Sequence, residues 1–389
     1  MSPRIPAPPS APPGTEHAVG TPAERDAAAR VSGPARATVA ARPGEPGLFL
    51  ALAPMDGVTD HVYRELLTAE RDGHSGISLC VSEFVRVTAA AVQPHVLLRD
   101  CPELRHGGRT RAGVPVFVQL LGGEPAAMAG SAQRAAELGA PGIDLNFGCP
   151  AKTVNRHDGG AALLKAPCRV EAVTAAVRAA VDRVDPAIPV TAKIRLGWDD
   201  AADVAAIAQA AARGGASWLT IHARTRVQQY HPPVDHDAVG RARAAVAIPV
   251  VANGDLFTPA DLTACAARSG CDAFMIGRGA MARPRLFAAA RGWEPDTWDL
   301  AEFRARLLDY AARLLAAGAS ERAAVGRVKQ WLRLAVPQRP ALQPTFDASK
   351  PLATLEALRA CLERAPPALA HVRGNPAVGV TMNCAMPTT

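Results

Sequence analysis

From Leu48 onward the chain repeats one texture: a short apolar run, a polar turn, then an alanine-rich stretch with apolar positions three and four residues apart. The runs are FLALAPM (49–55), ISLCVSEF (77–84), VPVFVQLLG (114–122), GIDLNFGCP (142–150), VTAKIRLGW (190–198), WLTIHART (218–225), PVVANGDL (249–256) and AFMIGRGA (273–280). Their length and their Gly and Pro flanks suit buried strands, and stretches between them such as VEAVTAAVRAAVDRV and VAAIAQAAARGGA have helical spacing. Eight strand-like runs alternating with helices predict an α/β fold, a closed (β/α)8 TIM barrel. A doubly wound open sheet uses the same units, but no GxGxxG follows the first run.

After residue 300 the strand pattern stops. AEFRARLLDYAARLLAAGA, ERAAVGRVKQWLRLAV and PLATLEALRACLERA read as three amphipathic helices, a C-terminal helical bundle domain. Residues 1–46 hold ten of the 34 prolines and almost no large apolar residue, so this segment cannot bury enough surface to offset its ordering entropy and is expected to be a disordered tail. The expected boundaries are a tail at 1–46, a barrel at 47–297, helices at 298–366 and a loose tail at 367–389.

The net charge is +7, and residues 300–366 carry eleven Lys/Arg against six Asp/Glu, so +5 of it falls in the helical part. That excess suits a polyanion such as RNA, or simply a solvated basic face. Eight cysteines without a CxxC pair read as reduced, cytosolic thiols. No apolar run approaches the ~20 residues of a membrane helix, no signal-peptide pattern opens the chain, and no metal-binding spacing occurs. A cytoplasmic protein, monomeric and without a metal, is expected.

Each predicted strand ends on chemistry: Pro54-Met55-Asp56, Glu83, Gln119, Asn146 with Cys149, Lys193 with Arg195, His222 with Arg224, Asn253 with Asp255, and Gly277-Arg278-Gly279. In a barrel all eight ends converge on one rim, where barrel enzymes build their sites. VANGD and MIGRGA put glycine and backbone N–H groups after strands seven and eight, the usual phosphate position, with Arg278 able to pair through its fork. The phosphate could belong to a flavin mononucleotide or to a sugar phosphate. Lys193, inside an apolar strand, needs an anion or an electron-rich ring, or an internal salt bridge with Glu83 or Asp144. His222 could meet the phosphate or cap a core network. Spacing alone leaves open a Cys149 nucleophile folded against His222.

LAPMDGVTD (52–60), LNFGCPAKTVN (145–155), KIRLGWD (193–199), IHART (221–225), VANGD (251–255) and IGRGA (276–280) together resemble the motif set of the tRNA-dihydrouridine synthases, in order over roughly residues 48–335. CVSEFVRV (80–87), RDCPEL (99–104), SGCDAFMIGRGA (269–280) and RVKQWL (327–332) further resemble the bacterial subfamily that reduces uridine 16 of the tRNA D-loop. The resemblance implies a barrel binding flavin mononucleotide (FMN), a helical domain binding tRNA, and NADPH as reductant. It implies that a flipped uridine receives a hydride at C6 and a proton at C5, the latter from Cys149. Pro54, Met55 and Asp56 would then line the flavin ring through backbone, and Gln119 and Lys193 would bond its polar edge. His222, Asn253, Gly254, Asp255, Gly277 and Arg278 would hold ribityl and phosphate. Asn146 would meet the uracil edge, Tyr230 and Arg224 would lie on the substrate side, and Arg86, Arg327 and Lys329 would orient the RNA. The competing readings are a flavin-dependent barrel that reduces a small molecule, and an RNA-binding factor without catalysis.

Overall fold

All eight apolar runs become parallel strands, and their ends meet. The computed structural model describes residues 39–69, 75–156 and 158–364. Its strands are β1 (Phe49–Leu52), β2 (Leu79–Val81), β3 (Val85–Arg86), β4 (Val116–Leu121), β5 (Ile143–Asn146), β6 (Val190–Arg195), β7 (Leu219–His222), β8 (Val250–Asn253) and β9 (Ala273–Ile276). β1 pairs with both β2 and β9, and β2 pairs with β4, so eight strands close a barrel. Every residue of β1, β2, β4, β7, β8 and β9 is buried, as expected when helices cover the outside and side chains fill the inside.

The ninth strand comes from splitting the second run. Val81 pairs with Phe117 and Val85 with Leu120, so three residues, 82–84, face two on β4. This bulge ends β2 and re-aims the chain. It leaves Ser82 Oγ to accept the Gln119 N–H (3.0 Å) and turns the Glu83 carboxylate toward the Val58 N–H (2.9 Å).

Between the strands run the helices His61–Thr68, Pro125–Glu137, Pro167–Asp182, Val204–Arg213, His236–Ala244 and Pro259–Ser269. Local chemistry starts and stops them. Asp60 caps the first by accepting from Tyr63 N–H, and Thr258 with Asp261 forms a reciprocal capping box on the last, which ends at Gly270 in the left-handed region. No helix among the described residues is long and apolar enough to cross a membrane.

The helical part has four helices, Leu300–Ala316, Glu321–Ala335, Gln343–Ser349 and Leu355–Arg364, one more than the periodicity predicts. The extra one is a two-turn element started by Pro344, too short to carry a period of its own. Trp331 seats this part on the barrel. Its indole Nε1 donates to the Met281 carbonyl (2.8 Å), and its ring meets Tyr63, Tyr310 and Phe303 edge to face. Tyr310 in turn donates to Asp60 (2.9 Å).

Of the tail expected at 1–46, residues 1–38 lie outside the described residues, as do 365–366 and the tail expected at 367–389. Packing starts earlier than residue 47: Val39 bridges Leu48, and Ala40 is 2% exposed.

Glu103 of the RDCPEL stretch forms a two-point ion pair with Arg64 (2.7 and 2.8 Å) at side-chain exposures of 3% and 0%. Removing one member strands the other charge in the core. Glu103→Ala is expected to lower the unfolding free energy by about 3–5 kcal/mol in urea titrations; a loss within experimental error would show the pair to be idle.

Candidate active site

The rim is assembled from strand ends. β5 finishes at Asn146, whose side-chain oxygen accepts the N–H groups of Gly148 (3.0 Å) and Cys149 (2.9 Å) and so closes a tight bend. Arg195, at the end of β6, holds the bend from the other side by donating to the Gly148 carbonyl (2.8 Å). The same guanidinium donates to the carbonyls of Thr225 (3.0 Å) and Gln229 (2.8 Å), tying the loop after β7 to the cysteine loop. Sequence reading noted Arg195 only as a strand-end companion of Lys193, and the alternation of that strand was the one available signal.

Cys149 is half-buried on this bend. Burial pushes its thiol above the ordinary range and the nearby Asp56 carboxylate adds to this; the Ala151 N–H, Arg195 and Lys193 pull the other way without reversing it. The group is therefore a neutral S–H at pH 7. In that form it has a proton to give and is not a ready nucleophile.

A cleft beside it is lined by Pro54, Met55, Lys193, His222, Tyr230, Asn253, Gly254, Asp255, Gly277 and Arg278, together with Phe257. Ten residues expected at one site are thus brought together. Lys193 makes no hydrogen bond or ion pair with any described residue. The internal salt bridge considered for it does not form, because Asp144 is held by Gln119 and Thr191 and Glu83 by the Val58 N–H. Burial, with Arg195 acting the same way, lowers the Lys193 ammonium to about 8, so it stays mostly charged at neutral pH. His222 is buried with Nδ1 unpartnered, and burial together with Arg195, Lys193, Arg224 and Arg278 holds the ring neutral. A buried orphan nitrogen and an unpaired ammonium facing one cleft are what an anionic, hydrogen-bonding ligand would satisfy.

Arg278 is pre-set at the far end. It pairs with Asp255 (2.7 Å) and stacks over Tyr230 (5.2 Å) and Phe257 (5.7 Å). Asp255 sits at φ +49°, a left-handed conformation uncommon outside glycine, and is held there by two guanidiniums. Gly254 precedes it at φ +129°, where a side chain would crowd Ala223 and Val234. Asn253 spends its amide on the Met275 carbonyl (2.8 Å). Tyr230, 54% exposed, lies between Arg195 and Arg278 with its ring edge toward His222.

Other expected residues are committed to protein partners or lie apart from the cleft. Arg224, expected on the substrate side, is 1% exposed, paired with Asp255 (3.1 and 2.5 Å) and donating to the His231 carbonyl (2.7 Å). Gln119 does not edge the cleft; it is fully buried between Asp144 and Asn146. Met55 offers no free backbone group, since its N–H donates to Thr59 Oγ1 and its carbonyl accepts from Val58 and Thr59; its side chain is what faces Gly277. Asp56 is exposed and stands outside the cleft, between Cys149 and Arg327. Lys329 spends its ammonium on the carbonyls of Lys350 (2.9 Å) and Leu352, at the end of the helix Gln343–Ser349. Arg86 is exposed on β3, and Arg327 reaches Asp60 (3.7 Å) at the rim. Phe257 was missed; a lone aromatic in a turn carries no sequence signal.

A sequence model described as dihydrouridine synthase matches residues 51–363. Curated relatives named tRNA-dihydrouridine(16) synthase are similar over about three quarters of the chain: one from Cupriavidus necator is 48% identical over 287 residues, covering 73% of this chain and 86% of that protein. Another from Aquipseudomonas alcaligenes is 46% identical over 293 residues, covering 73% and 89%, and a third from Salmonella typhimurium is 44% identical over 283 residues, covering 72% and 88%.

The raised thiol has a direct readout. Alkylation of Cys149 by iodoacetamide, followed by peptide mass across pH, is expected to reach half its limiting rate above the ordinary thiol value of about 8.5. A midpoint at the ordinary value would remove the effect of burial, and one below neutrality would leave a thiolate at pH 7 and contradict a proton-donor role.

Proposed function

The chain belongs to the dihydrouridine synthase family, and from that premise we propose that it reduces a uridine of tRNA to 5,6-dihydrouridine, using bound FMN and NADPH as reductant. The observation that carries this reading is the pairing of a cleft lined by an unpaired Lys193, a His222 with unpartnered Nδ1 and an Arg278 pre-set by Asp255 with a neutral thiol at Cys149, close enough to Lys193 for each to shift the other's titration.

The residues fit FMN. Arg278, pre-set by Asp255, suits its phosphate, and His222 with its open Nδ1 suits the phosphate or ribityl chain. Lys193 suits the electron-rich polar edge of the ring. When bound, the reduced flavin supplies a hydrogen with its bonding electron pair to C6 of the uracil. The negative charge this places on the C5 side is met by two groups of the chain: the Lys193 ammonium, charged at pH 7, and the Cys149 S–H, which gives its proton to C5 and is left as thiolate to be reprotonated from solvent. Asn146 and Arg195 hold that thiol in place. The substrate base must leave its stack to arrive, at a cost of a few kcal/mol that is least in an irregular loop.

For the RNA, Arg86 and Arg327 remain available on the rim side, and the helices after residue 300 carry the excess positive charge. Uridine 16 is the favoured position because the similar relatives carry that number in their names. The experiment is to incubate tRNA lacking dihydrouridine with the protein, FMN and NADPH and map the reduced base. Reduction at 16 is expected; reduction elsewhere in the D-loop would discard the position, and no reduced base while NADPH is consumed would favour a small-molecule reductase.

Two substitutions sharpen this. Cys149→Ala is expected to keep flavin and tRNA binding but lose on the order of 10²–10⁴ in turnover, the usual worth of a positioned acid; full turnover would remove the acid role. Asp255→Asn frees Arg278 and is expected to weaken FMN about tenfold while leaving riboflavin, which lacks the phosphate, unchanged in a fluorescence titration. Equal weakening of both would mean that Asp255 serves the ring or the fold instead.

A further inference from the structure

Gln119, Asp144 and Thr191 stand side by side on β4, β5 and β6, in register across the sheet and all buried. Asn146 lies two residues beyond Asp144 on the same face, toward the rim. Four hydrogen bonds join them. Thr191 Oγ1 and Gln119 Nε2 donate to the two oxygens of Asp144 (2.6 and 2.7 Å), Asn146 Nδ2 donates to Gln119 Oε1 (2.8 Å), and Asn146 Oδ1 accepts the Cys149 N–H (2.9 Å).

The order of these bonds has one consistent sense. Asp144 only accepts as a carboxylate, the form that the hydrogen bonds from Gln119 and Thr191 and the nearby Lys193 favour against the burial that raises its titration, so Gln119 must turn its NH2 to Asp144 and its oxygen to Asn146. Asn146 must then turn its NH2 to Gln119, which leaves its oxygen, and not its NH2, against the N–H groups of Gly148 and Cys149. Reversing either amide would set oxygen against oxygen at Asp144 or N–H against N–H at the bend, leaving buried groups unsatisfied.

We propose that Asp144 is a positioning residue which, through the fixed sense of the Gln119 and Asn146 amides, holds Cys149 where it can donate its proton. This goes beyond the proposed function but rests on the reading of Cys149 as the acid. Gln119, fully buried, joins Asp144 to Asn146 through the two ends of its amide.

The test uses substitutions that change the sense without changing the shape. In Asp144→Asn the new amide can donate as well as accept, so both orientations of Gln119 and Asn146 become populated. Alkylation of Cys149 by iodoacetamide is expected to rise on the order of tenfold, the equivalent of one hydrogen bond to a charged group. The kcat for tRNA should fall by a similar factor, with KM and flavin content unchanged. Gln119→Glu, which sets two carboxylates against each other, is expected to do the same. The double variant Asp144→Asn, Gln119→Glu restores the relay in mirror form: the amide at 144 donates to the carboxylate at 119, whose second oxygen accepts from Asn146. Alkylation and kcat are therefore expected to recover toward wild type. A double variant as reactive and as slow as the single ones, or worse, would reduce Asp144 to a packing role, and wild-type alkylation in Asp144→Asn would overturn the relay outright. Should Asp144→Asn not fold, the double variant alone decides by the same readouts. Wild-type protein that leaves tRNA unreduced would defeat the functional reading separately, since the alkylation comparison needs no tRNA.

Discussion

A polar side chain inside a closed barrel must be satisfied by its neighbours on adjacent strands, because burying it unpaired costs more than most single contacts return. This constraint orders the interior of the protein. Around Asp144 it is met, with each carboxylate oxygen taking one donor and Gln119 accepting from Asn146 at its other end. One level nearer the rim it is broken at His222 Nδ1, and the Lys193 ammonium there has no hydrogen bond or ion pair among the described residues. The two are adjacent, face one cleft and lie beside a protonated thiol. Two unmet demands that face one cleft mark where a ligand completes the structure.

The chain meets most of its other buried charge with arginine. Of its 43 basic residues only five are lysine. Arg64, Arg195, Arg224 and Arg291 are all buried, and each donates to carbonyls or carboxylates drawn from distant loops. The guanidinium suits this work because it is weakly hydrated, stays charged and fans its donors over several acceptors. Arg195 alone joins the loops after β5 and β7, and with them the thiol and Tyr230. Lysine is kept for the one interior place where charge must be able to shift, and there burial brings it to about 8.

The barrel was legible because each apolar run is long enough to fill a strand and because glycine and proline punctuate the gaps. The rim was legible because polar residues recur where those runs stop. Sequence does not reveal which neighbour a side chain chooses. The family resemblance implied a substrate contact for Arg224, but Asp255, 31 residues later, folds onto it. Lys329 looked free on an amphipathic helix until the helix Gln343–Ser349 offered its carbonyls. Gln119 and Asp56 were both expected at the flavin; Gln119 is drawn inward by Asp144 and Asp56 is left exposed on the rim. The split of β2 from β3 was invisible because a bulge is a matter of register, and register needs the partner strand.

The electrostatics of Cys149 then decide between the two chemistries open to a rim thiol. A nucleophile needs thiolate, and a site built for one would surround sulfur with cations and helix N–H groups until its titration fell below neutrality. Two cations are indeed near, Lys193 and Arg195, and both lower the thiol. They are outweighed by burial, with Asp56 on the same side of the balance. The outcome is a sulfur that holds its proton at pH 7 while keeping positive charge close enough to stabilise the thiolate once the proton has gone. A general acid needs both properties: it must be protonated before the step and tolerated as its conjugate base after it. Desolvation alone would meet the first requirement, and Lys193 and Arg195 alone the second. Cys149, between Asp56 and the two cations on a bend that Asn146 and Arg195 hold fixed, meets both.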